Sequence, residues 1–158
     1  MEEGAAAKTP SMRVLAFKLG KENYCTDIRQ IKEVVKAASV TEVPNTPELI
    51  AGIMNLRGQI ITLVDLRRFF SCPAPVLKQG APVIISDVTK SPVGLIVDDT
   101  KESVDIDEGS IQPPLETIGE NLLRYTKGQV QYNGEMMAVI DLKAILESEE
   151  ISRIRKGG

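Results

Sequence analysis

Gly52–Phe70 reads GIMNLRGQIITLVDLRRFF, and it lies without a gap over Gly128–Leu146, GQVQYNGEMMAVIDLKAIL. Four positions are identical: Gly52/Gly128, Gly58/Gly134, Asp65/Asp141 and Leu66/Leu142. Others keep their character, among them Gln59/Glu135, Leu63/Val139, Val64/Ile140, Arg67/Lys143 and Phe70/Leu146. Each copy reads as strand, glycine turn, strand, capping aspartate and short helix. Asn133-Gly134 tolerates the positive φ of a type I′ hairpin turn. Asp65 and Asp141 are placed to accept from the free N–H groups that open a helix. The repeat predicts two versions of one small β-unit.

Outward from the first copy, Arg13–Leu19 alternates apolar and polar residues as a half-buried strand does. Tyr24–Thr26 resumes a strand after a turn at Gly20–Asn23. Asp27–Ile31 suits one helical turn capped by Asp27, and the β-branched Lys32–Lys36 favours strand. A single helix over Asp27–Ala38 is the alternative. Pro44 and Pro47 break the chain, and Pro47–Ala51 suits one turn of helix. Ser71–Pro82, with three prolines and a glycine, reads as the boundary between halves. Val83–Ser86, Val93–Val97 and Glu102–Ile106 read as strands, and Asp107–Ile111 as a helical turn. Leu115–Leu123 is irregular or one helical turn, and a terminal helix runs from Leu142 to about Ile151. Short strands at this density predict an all-β chain with short helices, built as small closed barrels in tandem. The expected division is a disordered leader at 1–12, a first barrel at 13–80, a second at 81–146, and a helical or frayed tail at 147–158. Strand exchange between the halves stays open.

The 158 residues carry a net charge of −3, which argues against a nucleic-acid surface of clustered Lys and Arg. Aromatic content of 4% also removes the base-stacking platform of a nucleic-acid-binding barrel, the alternative reading. No apolar run approaches the ~20 residues of a membrane span. The opening MEEGAAAKTPSM is unlike a signal peptide, so a cytoplasmic location is expected. There Cys25 and Cys72 default to unpaired thiols, with a disulfide between them left open.

No catalytic set assembles. The chain has no His, so Ser-His and Cys-His pairs are impossible and the commonest zinc ligand is missing. No phosphate-cradling glycine motif occurs. Asp98-Asp99 are adjacent, face opposite sides of a strand and read as a solvated strand end. Asp65 and Asp141 already have a capping role. No metal or cofactor is expected. The informative polar residue is Arg57, on a turn where the second copy has Asn133. It reads either as a solubilising turn residue or as a planar donor fork for a partner or an internal carboxylate, for which Glu33 is the candidate. Ile60-Ile61 and Val83-Ile84-Ile85 exceed the needs of a one-sided strand. Burial between two barrels explains them, and so does an apolar groove left partly open to a partner.

NLRGQIITLVDLR (Asn55–Arg67) resembles the signature of the CheW-like family, the coupling proteins of bacterial chemotaxis. FKLGKENYCTDIRQIKEVV (Phe17–Val35), VPNTPELIAGIMNLRG (Val43–Gly58) and VGLIVDDTKESVDI (Val93–Ile106) extend the resemblance over nearly the whole ordered chain. It implies two SH3-like five-stranded barrels packed together and an adaptor without catalysis. The implied partners are the histidine kinase CheA, through its regulatory domain, and the cytoplasmic tip of transmembrane chemoreceptors, with no membrane insertion. An adaptor in another receptor–kinase pathway is the near alternative. The implied partner-binding residues are Ile31, Glu33, Arg57 and Val83. Thr100 departs from the apolar residue that the family often carries two places after the Val-Asp step.

Overall fold

The computed structural model describes residues 10–37, 40–70, 80–89, 91–114, 120–148 and 151. The strands are β1 (Ser11–Leu19), β2 (Glu22–Asp27), β3 (Glu33–Lys36), β4 (Ile50–Leu56), β5 (Gln59–Asp65), β6 (Pro82–Ser86), β7 (Val93–Ile96), β8 (Asp99–Asp107), β9 (Thr126–Tyr132) and β10 (Glu135–Ile140). Helices are short: α1 (Leu66–Phe69), α2 (Glu120–Tyr125) and α3 (Leu142–Leu146), with 3-10 turns at Ile28–Gln30 and Glu108–Ser110.

The strands form two five-stranded sheets, in the orders β8-β1-β2-β10-β9 and β3-β6-β7-β5-β4. We call them barrel A and barrel B. Each closes through an isolated bridge from the segment after one edge strand to the other edge strand. Gln112, beyond β8, pairs with Gln129 in barrel A, and Thr41, beyond β3, pairs with Ile53 in barrel B. Closure removes the open edges that would invite aggregation.

The halves expected at 13–80 and 81–146 do not correspond to the barrels. β1 and β2 join β8–β10, while β6 and β7 join β3–β5, so the exchange left open by the sequence is reciprocal. Registers show that the duplication covers all five strands. Leu15↔Thr26 with Val14↔Val104 in barrel A matches Ile84↔Leu95 with Val83↔Val35 in barrel B. The parallel pairs β10–β2 and β5–β7 match in the same way. Exchange follows from β2 and β7 each leading straight into the opposite barrel.

Strand alternation then sorts the apolar residues into three cores. Val14, Cys25, Val104, Val130, Met137 and Val139 fill barrel A. Met54, Ile61, Leu63, Val83, Ile85 and Ile96 fill barrel B. Their strand neighbours turn the other way, so Leu15, Val64, Ile84, Leu95 and Ile140 meet α1 and α3 in a larger core at the junction. Five of the six aromatic residues lie in this junction, in the series Phe17, Tyr24, Phe70, Phe69, Tyr125 with centroid spacings of 5.1–6.1 Å.

Several local expectations need correction. Ser11 and Met12 belong to β1, and Met12 is buried, so the leader cannot extend to residue 12; residues 1–9 lie outside the described set. Pro47–Ala51 is not a helix: a turn closed by Ile50 N donating to Pro47 O (3.0 Å) leads directly into β4. Ser71–Pro82 lies largely outside the described residues, but the strands before and after it, β5 and β6, both sit in barrel B. Leu115–Leu123 gives way to α2 from Glu120 onward. The last helix stops at Leu146, although Ile151 is again helical and buried.

The repeated glycines have a common purpose. Gly52 (φ +148°) and Gly128 (φ +151°) each sit at a register shift in their hairpin, and the closing segment crosses over them. A Cβ on Gly52 would lie 2.4 Å from Thr41 O, and one on Gly128 2.3 Å from Gln112 O. Gly128→Ala should therefore cost at least ~2–3 kcal/mol in urea unfolding, because backbone must move. Gly134→Ala, with open space and only a left-handed φ to accommodate, should cost about 1–2 kcal/mol.

Candidate functional site

Arg57 and Gly58 form the two-residue turn between β4 and β5, with φ of +51° and +86°. Asn133 and Gly134 repeat it between β9 and β10 at +52° and +80°. Gly58 N donates to Asn55 Oδ1 (2.9 Å), which tightens the first turn. Asparagine suits this left-handed position; arginine costs roughly 1 kcal/mol there.

That turn brings Arg57 to Glu33. Glu33 shares the inward face of β3 with Val35, which packs on the barrel B core. Arg57 Nη2 donates to Glu33 Oε2 from the opposite edge of the same sheet, so the ion pair spans the mouth of the barrel. The side chains are 65% and 26% exposed. An exposed pair contributes only about 0–1 kcal/mol. This at best offsets the backbone cost of an arginine in the turn, so stability does not account for the residue.

The other two expected contact residues part company. Ile31 ends the 3-10 turn, half-buried against the junction core. Val83 is 0% exposed inside barrel B and offers no surface to a partner. The reason is topological: β6 lies between β3 and β7, and Val83, Ile84 and Ile85 are covered on both faces by the barrel and junction cores. Burial thus explains that apolar run. The other run divides, with Ile61 1% exposed in the core and Ile60 57% exposed. Val34, 41% exposed, lies next to Glu33 on the outward face of β3. Ile60 belongs to the run for which a partner groove was one expected explanation; Val34 was not singled out, although it is an apolar residue out of phase with the buried face of its strand.

Asp27 caps the turn that carries the chain from barrel A to Ile31 and Glu33. Its carboxylate accepts from Arg29 N (2.9 Å) and from the Arg29 guanidinium (Nη2, 2.6 Å). The side-chain bond from Arg29 is the main cause holding its pKa below the usual carboxylate value. Among the described residues no group of three or more His, Cys, Asp or Glu could hold a metal ion. Cys25 is a free thiol in the core of barrel A, its pKa pushed up to about 12 by burial. A cleft of ≈ 540 Å³ beside α1 is lined by Val40, Val43, Ile50 and Ala51, with Glu48 and Arg68.

The chain matches the CheW-like domain family over residues 13–150. It is 30% identical over 149 residues to the chemotaxis protein CheW of Klebsiella aerogenes, across 94% of this chain and 90% of the relative. It is 28% identical over 153 residues to that of Treponema pallidum, with the same two coverages. Among solved structures it is similar to the scaffolding protein TtCheW from Thermoanaerobacter tengcongensis, with a TM-score of 0.77 and 35% identity over 89% of this chain and 96% of that one.

Two outcomes test the site's physics. Arg57→Asn should leave the urea-unfolding free energy unchanged or raise it, within about 1 kcal/mol, since a strained turn is relieved as a weak pair is lost. For Asp27 the folded pKa lies below the unfolded one. Its stabilisation is therefore present above about pH 4 and lost as pH falls through the folded value. Asp27→Asn should lower stability at neutral pH and flatten the acid limb of the stability–pH curve.

Proposed function

We propose a non-catalytic adaptor, and the premise is plain: the chain belongs to the CheW-like domain family. In this reading it works in the cytoplasm and joins the tip of transmembrane chemoreceptors to the histidine kinase CheA. The observation that carries the proposal is the Arg57–Glu33 pair at the mouth of barrel B. It is held at a backbone cost, and its small stabilisation does not explain why an arginine is there. A guanidinium oriented in this way offers its remaining donors to a partner.

Ile31, Glu33 and Arg57 stay in the proposed contact set. Val83 leaves it. Val34 and Ile60 add exposed apolar area beside the pair. Coupling then rests on surface complementarity at two places, one for the kinase's regulatory domain and one for the receptor. Each contact raises the local concentration of the other partner, so ternary assembly gains by avidity. Two further observations support docking over turnover. The chain contains no histidine, and its buried carboxylates are already occupied by arginine or helix-cap N–H groups. No helix among the described residues is long and apolar enough to cross a membrane, so receptor contact is the proposed link to the membrane.

Arg57→Glu places like charges at the barrel mouth while leaving the three cores untouched. It should fold normally by circular dichroism, and kinase activation with CheA and receptor-containing membranes should fall. Full activation by this variant would remove Arg57 from the contact set. Failure of the wild-type chain to co-sediment with receptor membranes and CheA would overturn the adaptor reading itself.

A further inference from the structure

The polypeptide passes between the barrels twice among the described residues: from β2 to β3 at Ile28–Lys32, and from β7 to β8 at Val97–Asp98. The junction core between them is apolar. Apolar burial favours contact without fixing direction, so something else must set the angle of one barrel to the other. Both crossings are held by hydrogen bonds to the start of a short helix. At the first, Gln30 Oε1 accepts from Leu142 N (3.0 Å), Gln30 Nε2 donates to Asp141 Oδ1 (3.3 Å), and Gln30 O accepts from Ser86 Oγ (2.6 Å).

The second crossing is held by charge. Arg67, on α1 and 4% exposed, grips its own helix cap through Nε to Asp65 Oδ1 and Nη2 to Asp65 Oδ2, both at 2.9 Å. Its remaining arm, Nη1, reaches Asp98 Oδ1 at 3.2 Å. The other oxygen of Asp98 accepts from Gly20 N in the β1–β2 turn of barrel A (2.5 Å), and Asp98 N donates to Lys18 O (3.0 Å). One carboxylate in the bend between β7 and β8 is thus bound to Arg67 of α1 by one oxygen and to barrel A by the other. The Asp98-Asp99 step, read from sequence as a solvated strand end, is exposed at both residues, and Asp98, its side chain 30% exposed, is also a bridge.

We propose that Arg67–Asp98 is a latch that sets the angle between the two barrels, with Arg67 and Asp98 acting as positioning residues. Arg67 is buried and Asp98 is not, so the pair adds little net stability; its contribution in this proposal is the direction of its bonds. Removing Asp98 leaves Arg67 paired with Asp65, so no charge is orphaned and each barrel keeps its own core. The inference concerns the free protein and does not rest on the adaptor reading.

The test measures the angle. Spin labels are attached through Lys36→Cys in barrel B and Gln131→Cys in barrel A, both exposed positions, in a Cys72→Ser background. Cys25, with 0% exposure, stays unlabelled. Pulsed dipolar spectroscopy should give one narrow distance distribution for the wild-type pair, and a shifted or broadened one for Asp98→Asn and, more strongly, Asp98→Ala. Arg13→Ala, which breaks an exposed ion pair inside barrel A, should leave it unchanged. Asp98→Asn retains an acceptor for Gly20 N and decides the matter if Asp98→Ala does not fold. Wild-type distances in Asp98→Asn, whatever its melting temperature, overturn the proposal. Partner binding does not enter the measurement, so a failure here is distinct from a failure of the adaptor reading.

Discussion

The structure depends on one constraint: its central strands are apolar on both faces. Leu63 looks into barrel B while Val64 looks into the junction; Val139 and Ile140 do the same from barrel A. A barrel standing alone would expose the junction row to water. At about 25 cal/mol per Å² of apolar surface, a row of Leu, Ile, Val and Phe is too costly for a unit of this size to leave uncovered. The second barrel is therefore a requirement of the first. The short helices α1 and α3 complete the cover, each launched by an aspartate that satisfies its first N–H groups.

Because so much apolar surface is consumed internally, little is left for partners, and what remains is informative. Val34 stands out of phase with the buried face of its strand, and Ile60 is the exposed end of the β5 face that Val64 buries further along; both lie near an arginine whose backbone sits where asparagine or glycine would be cheaper. The magnitudes decide how to read that arginine. A left-handed φ costs roughly as much as an exposed ion pair returns, so the Arg57–Glu33 pair brings no surplus to folding. It holds a guanidinium in a fixed place.

Much of this was legible in the chain. The aligned glycines and the Asp-Leu step marked two hairpin–helix units, and the structure gives both the same turn, the same register shift and the same cap. Arg57 was legible only as an open choice between a solubilising turn residue and a donor fork for a partner or for Glu33, and the structure pairs it with Glu33. The rest of the duplication was not visible, because β1/β6 and β2/β7 share only apolarity, which any buried strand has. Val83 was misplaced for a related reason. An apolar residue inside a core and one on a docking face look alike in sequence, and only strand order separates them. Asp98 was missed because its partners, Arg67 and Gly20, are remote in the chain and each had an adequate local explanation.

The reciprocal exchange of strands also governs how such a chain can be born. When β1 and β2 leave the ribosome, the strands that complete their barrel, β8 to β10, have not been synthesised. Barrel B finishes first, from β3 to β7, with the first hairpin still waiting for its mates. Two of barrel A's four ladders, β1–β8 and β2–β10, are long-range in sequence, and closing such loops is the slow part of folding. The nascent hairpin, carrying Phe17, Leu19 and Tyr24, must stay out of trouble until the last third of the message is read.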